Sequence, residues 1–333
     1  MSDNATNKPE KIIKGRYVIG DPAGTFDEKP RIARQPGKIS HRSDWIADIS
    51  HVGDMRVMGA SLRGAMHYGL STIRQDSFAI GTSEREDENN SIWIISVISD
   101  GVSSATQSHT FADYMVRQTV IAVGDELSVC NPKSLRDIEW NNIACQLVDI
   151  SAEFCHNAAK RTVSENKTVE ASKVTPRDFA KKWAATLEFA VTQTNHGEFS
   201  NKREFVHVTV AGDGAAYVLN KRQGWRVVKS GKSQSGTIVS NAVLSLPLEP
   251  KDFIINHGYL DKNDCLILTT DGLSDFIGDG NTPLGDFFKR KLPNCESLAA
   301  FLQIVDVSLY QADDDRTLIL VKGAGLDSWK SSR

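Results

Sequence analysis

Three times in this chain an apolar run that reads as a β-strand stops on the pair Asp-Gly. The runs are "IWIISVISDGVSS" with Asp100 and Gly101, "FVHVTVAGDGAAYVLN" with Asp213 and Gly214, and "LILTTDGLSDFIGDG" with Asp271 and Gly272. One such pair is ordinary, because Gly takes positive φ freely, Asp tolerates turn geometry, and the two together close hairpins. The first and third are not simple hairpins, since the chain turns Ser-rich and then helical after Asp100 and continues as "LSDFIG" after Asp271. The middle pair stays open as a two-strand turn. A fourth acidic run, Asp313, Asp314 and Asp315 in "ADDDRTLILV", stands directly before the last strand pattern, where an acidic surface turn would also account for it. Carboxylates gathered at strand ends repel one another unless protons or cations offset the charge, and hard divalent cations prefer oxygen ligands. A metal centre is the first expectation.

The pattern along the chain locates these turns. Residues 1–55 are rich in Pro, Gly, Lys and Asp and predict a flexible start followed by an extended arm. From Met55 the texture is regular. Strands are predicted in "MRVMGASL", "QDSFAIGTS", "SIWIISVIS", "WAATLEFAVTQT", "EFVHVTV", "AAYVLNK", "GWRVVK", "CLILTT" and "RTLILVK", with "EREDENN" as a solvated hairpin tip. Helical periodicity appears in "HTFADYMVRQTVIAV", "NNIACQLVDISAEFCHNAAKR" and "SLAAFLQIVDVSLYQ". Strands joined by turns with helices grouped beside them predict an antiparallel α+β domain, because regular β-α-β alternation is missing.

Composition removes several classes of function. A net charge of −3 over 333 residues gives no basic field, so nucleic acid is not expected as a partner. Five cysteines without a Cys-x-x-Cys pair argue against a disulfide framework and a structural zinc site, which predicts reduced thiols and a cytoplasmic setting. No stretch approaches the ~20 apolar residues that span a bilayer, and the polar start lacks a signal peptide's apolar centre, so no membrane association is expected. "SGKSQSG" is no phosphate loop, since Arg226 stands where Gly is required and no helix follows. Cys155 and His156 are adjacent on a predicted helix and face apart.

What carries a functional reading is the order of the acids: Gln75-Asp76, Asp100-Gly101, Asp213-Gly214, Asp271-Gly272, and Asp314-Asp315 before Thr317. That order resembles the metal-dependent protein phosphatases of the protein phosphatase 2C family over roughly residues 56–322. The resemblance implies a catalytic domain at 56–322 behind the 1–55 arm, with a tail at 323–333. It implies a four-layer αββα sandwich, two antiparallel sheets flanked by helices, with the metal centre at one end between them. By the same resemblance "VISDG" supplies Asp100 as a bridging carboxylate and the Gly101 carbonyl as a ligand. "LTTDGLSD" supplies Asp271, "DDRT" supplies Asp314 with Asp315 as a polar neighbour, and Asp76 is a ligand or holds a metal-bound water. "AGDGAAYVL" places Asp213 at an additional, weaker site. Asp76, Asp100, Asp271 and Asp314 are thus the implied catalytic acids.

The departures narrow the match. Where the common first motif has an Arg that holds substrate phosphate, this chain has Ser71 in "STIRQD", and Arg74 replaces an Asn. A divergent bacterial branch with Gly, His and a later Gln-Asp is closer to "GAMHYGLSTIRQDSF", which contains Gly64, His67, Gln75 and Asp76. "DGVSS" lacks the His that follows Asp-Gly in many relatives. Arg74, Arg63 and His67 are the candidates to contact phosphate, set against the commoner structural roles of such residues. The implied activity is Ser/Thr phosphoprotein hydrolysis with two Mn²⁺ or Mg²⁺ ions, a third at Asp213, and a bridging hydroxide attacking phosphorus in line. A phosphorylated protein is the implied partner, with a cognate kinase by family habit. The alternatives are a phosphatase-like docking module with little turnover and a hydrolase of small phosphate esters.

Overall fold

The structure is a computed structural model. It describes residues 11–13, 16–19, 42–70, 72–84, 92–130, 132–165, 176–194, 202–220, 222–231, 244–248, 250, 252–309 and 313–323. A six-stranded sheet runs in the order β10 (Gly224–Lys229), β9 (Ala215–Asn220), β12 (Asp264–Thr269), β14 (Arg316–Gly323), β4 (Met55–Leu62) and β3 (Trp45–Val52). A five-stranded sheet runs β11 (Ile254–Asp261), β8 (Lys202–Ala211), β7 (Leu187–Gln193), β6 (Ile92–Ser99) and β5 (Ser77–Glu84). Every pairing in both sheets is antiparallel.

Side-chain alternation explains why the central strands read as unbroken apolar runs. On β6, Trp93, Ile95 and Val97 face one core while Ile94 and Ile98 face another. On β12, Cys265 and Ile267 point away from the second sheet and Leu266 and Leu268 point toward it. Leu318 and Leu320 against Ile319 and Val321 do the same on β14. Three cores therefore separate four layers. Helices α2 (Ser108–Cys130) and α3 (Trp140–Glu165) cover the five-stranded sheet, and α5 (Asp271–Ile277), α6 (Pro283–Lys291) and α7 (Leu298–Val305) cover the six-stranded one. The sheets meet closely enough that a Cβ on Gly59 of β4 would lie 2.3 Å from the Phe78 ring of β5. The αββα sandwich expected from sequence is the fold.

Several elements differ from their sequence reading. Trp45–Val52, assigned to the arm, is the edge strand β3, paired along its length with β4. Its half-exposed pattern hid it, since an edge strand has a partner on one side only. The last predicted helix ends at Val305, and Ser308–Leu309 form β13, which pairs in parallel with β2 (Arg16–Ile19). β2 also pairs with β1 (Lys11–Ile13), and Tyr17 packs on Phe287 of α6 with ring centroids 5.0 Å apart. Strand β11 and helices α5 and α6 were not foreseen. All five cysteines are free, and Cys155 is buried while His156 beside it is exposed. The predicted hairpin tip at 85–90, the loop at 232–236 and the tail at 324–333 lie outside the described residues. No described helix is long and apolar enough to cross a membrane.

Candidate metal centre

Antiparallel pairing brings the ends of β4, β6, β8 and β12 and the starts of β5 and β14 to one edge of the sandwich. Asp76 precedes β5, Asp100 follows β6, Asp213 joins β8 to β9, Asp271 opens α5, and Asp314 and Asp315 precede β14. β8 and β9 lie in different sheets, so Asp213-Gly214 is a crossing between layers and not the hairpin turn left open above.

The glycines of these pairs answer to close approach. Gly101, Gly214 and Gly272 are not among the positive-φ glycines. A Cβ on Gly272 would lie 2.0 Å from the Asp315 carbonyl oxygen, and one on Gly101 would lie 2.9 Å from that of Gln75. Each glycine lets one acid-bearing loop lie against the next.

Asp76 is 1 % exposed. Its Oδ2 accepts from Thr270 Oγ1 and lies within hydrogen-bonding distance of Thr317 Oγ1, both at 2.8 Å. Burial, then the charge of Asp315, pushes its carboxyl up to about 7. Asp100 keeps some solvent access as a residue, but its carboxyl group is enclosed. Burial, then the charges of Asp76, Asp271 and Asp314, drives it well above the ordinary carboxylate range. The two carboxyls act on each other, so the charge on one makes it harder to ionise the other. The backbone of Asp100 is held by the residue just before β7: its N–H donates to Thr186 Oγ1 and its carbonyl accepts from Thr186 N, each at 2.8 Å.

Asp315 has a different task. Its carboxylate accepts from the backbone N–H of Gly64 at 2.7 Å, of Gln75, and of Asp76 at 3.4 Å, and it faces His67 Nδ1 at 2.8 Å. Burial alone would raise this carboxyl, but the His67 contact and the backbone donors outweigh it and hold it below the usual range. Burial would likewise lower His67, yet Asp315 raises it. The pair ties α1 (Ala65–Gly69), the start of β5 and the start of β14 together.

The candidates for phosphate contact are engaged elsewhere. Arg74 is buried and donates to Ser61 Oγ at 2.7 Å and to the Asp76 carbonyl, and burial lowers it to about 10. Arg63 donates to Asp44 at 3.0 Å and to the His67 carbonyl at 2.9 Å, with its guanidinium 4.4 Å from the Tyr68 ring centroid. Ser71 is outside the described residues. Sequence reasoning missed Arg42, whose Nη2 donates to the Asp76 carbonyl at 2.8 Å and to Asp113 at 2.9 Å. It also passed over Thr270. A single polar residue in an arm or strand end carries no spacing signal.

A family model described as Protein phosphatase 2C matches residues 63–313, a span containing Asp76, Asp100, Asp213 and Asp271. The chain belongs to the protein phosphatase 2C family. No curated protein sequence matches it. Among solved structures, RsbX in complex with magnesium is 15 % identical, covering 84 % of this chain and 100 % of that one, with a TM-score of 0.44. The S. agalactiae serine/threonine phosphatase is 14 % identical over 81 % and 99 % of the two chains, TM-score 0.46. PppA of Pseudomonas aeruginosa is 15 % identical over 84 % and 100 %, TM-score 0.47.

In this protein phosphatase 2C member the donor chemistry fits a hard divalent cation, because the converging side chains are carboxylates with no thiolate among them. The raised carboxyls of Asp76 and Asp100 mark where positive charge is needed. Among the described residues no group of three or more His, Cys, Asp or Glu side chains is already arranged to hold an ion.

Proposed function

We propose that this chain is a Mn²⁺- or Mg²⁺-dependent serine/threonine phosphoprotein phosphatase whose centre is formed by Asp76, Asp100, Asp271 and Asp314. The observation that carries the reading is the convergence of mutually repelling acids at one sheet edge, with Asp76 and Asp100 protonated above their ordinary values. A scaffold without a cationic ligand gains nothing from such repulsion. Asp100 with the Gly101 carbonyl, Asp271 and Asp314 would hold the ions, Asp76 would complete the set, and Asp213 would hold a further, weaker one. When bound, such ions supply a nucleophile at neutral pH and neutralise charge on the phosphoryl oxygens.

The chain's own groups divide the remaining work. Asp100 would hold a cation in its ionised form, and Thr186 keeps its backbone in place. The Thr270 and Thr317 hydroxyls fix the Asp76 carboxylate, and Arg42 and Arg74 hold its backbone carbonyl. The substrate is a phosphorylated protein, its kinase a natural counterpart. A second reading, a docking module with little turnover, draws on the engagement of Arg63 and Arg74 with internal groups.

A substrate panel tests the proposal: phosphothreonine and phosphoserine peptides beside sugar and nucleotide phosphates, each with Mn²⁺, Mg²⁺ or excess chelator. Metal-dependent release from the phosphopeptides is expected. Preference for the small esters would replace phosphoprotein by small-molecule hydrolysis, and phosphopeptide binding without release in folded, metal-loaded protein would favour the docking module.

A further inference from the structure

Apart from the carboxylate cluster, a second charged group is buried between the sheets: Glu188 on β7, His207 on β8 and Lys229 at the end of β10. Glu188 is 1 % exposed and Lys229 8 %. Lys229 Nζ donates to Glu188 Oε1 at 2.8 Å, and Glu188 Oε2 faces His207 Nε2 at 3.1 Å. The ammonium also donates to the backbone carbonyls of Gly212, at 3.5 Å, and Gly214. Those two carbonyls flank Asp213.

Several local features serve this contact. The register of β10 shifts between Val227 and Lys229, a bulge of the kind that re-aims a side chain, and Lys229 is buried beyond it. Gly212 has φ +121°, and a Cβ there would lie 2.4 Å from Thr186 Cβ. A Cβ on Gly214 would lie 2.9 Å from Glu188 Oε1. Thr186, just before β7, and Glu188 on it thus serve two acid-bearing turns, Thr186 gripping Asp100 and Glu188 gripping the Asp213 turn through Lys229. A buried ion pair is weak support for stability, since apolar groups of equal volume often do as well. Its carbonyl contacts suit it to placing the turn.

We propose that the Lys229–Glu188 pair is a brace that sets the position of the Asp213 turn relative to Asp100, so that both are positioning residues for the weaker cation site. The proposal rests on the reading of Asp213 as a ligand given above. Lys229 is fixed by three acceptors, one on β7 and two in the turn, and Glu188 by Lys229 and His207, so the brace spans both sheets and has no exposed partner to lose.

The test uses the full chain as wild type and as the double variant Glu188→Gln/Lys229→Met, which removes both charges at similar volume. Lys229→Met alone would leave a buried carboxylate without its cation and risk the fold. Two readouts are compared: hydrogen exchange across residues 212–216 in chelator, and calorimetric titration with Mn²⁺. The double variant is expected to exchange at least about 10-fold faster there, with β6 and β12 unchanged. It is also expected to lose about 10-fold in affinity at the weakest Mn²⁺ site, with tighter sites unmoved. Unchanged exchange at 212–216, or unchanged weak-site affinity, overturns the proposal. A wild type that binds no Mn²⁺ would instead overturn the cation reading, a failure seen before any variant is made, and the exchange comparison would then decide the brace alone.

Discussion

At the scale of single residues, the consequence of gathering acids is a proton that the folded chain binds more tightly than the unfolded one. Asp76 rises from an ordinary 3.8 to about 7. Between those values the folded state holds the proton and the unfolded state does not, so the contribution of Asp76 to stability falls as pH rises from about 4 to 7, and the raised Asp100 adds to the decline. Chelated protein should therefore show a thermal midpoint that declines across that window, and saturating Mn²⁺ should remove the decline. A midpoint that rises with pH in chelator would contradict the assignment. Asp100→Asn removes a repelling charge from the same cluster and is expected to stabilise chelated protein at pH 8 by roughly 1–3 kcal/mol while abolishing metal-dependent turnover. Denaturant melts of both proteins check the sign. Asp100 and Asp271 were visible in the sequence because Asp-Gly after an apolar run recurs, and Asp314 because an acidic run stands directly before the last strand pattern. Arg42, Glu188 and Lys229 were not, because nothing in a lone charge within a strand or arm tells which distant loop it meets.

At the scale of elements, the Asp315 carboxylate joins three segments by accepting from Gly64, His67 and Gln75. Removing it leaves a buried His67 and backbone donors without their acceptor. Asp315→Ala should cost about 3–5 kcal/mol, read as a fall in denaturation free energy. His67→Ala should cost less, since the backbone donors remain. Gly272→Ala makes a related point about loops: its Cβ would stand 2.0 Å from a backbone oxygen that cannot swing away. It should lower stability by more than about 2 kcal/mol and weaken Mn²⁺ binding together, whereas Ala at a merely flexible glycine would do neither. The strand runs were legible as elements, and β4 and β10 coincide with "MRVMGASL" and "GWRVVK". β3 escaped because its residues are only half-buried. The helix–strand break after Val305 escaped because "SLAAFLQIVDVSLYQ" keeps a helical period across the end of the helix.

At the scale of the whole molecule, the two sheets and three cores follow from apolar runs that must bury both faces. Their order was not readable from periodicity, because β4 pairs with β14 across most of the chain and β8 and β9, adjacent in sequence, belong to different sheets. That crossing is what carries the Asp213 turn to the edge where β6, β12 and β14 bring the other acids. Ile319, fully buried between the sheets, should cost about 2–5 kcal/mol when cut to Ala, without altering Mn²⁺ affinity in protein that remains folded. Stability and ion binding thus separate between core and edge. The measurement that bears most directly on the central claim is phosphate release from a phosphothreonine peptide by wild type and Asp271→Asn, each with Mn²⁺ and with excess chelator. Turnover by wild type with Mn²⁺ alone, lost in the variant while its fold persists, is the predicted result. Equal turnover by the variant, or release undiminished by chelator, would contradict a carboxylate-held metal centre.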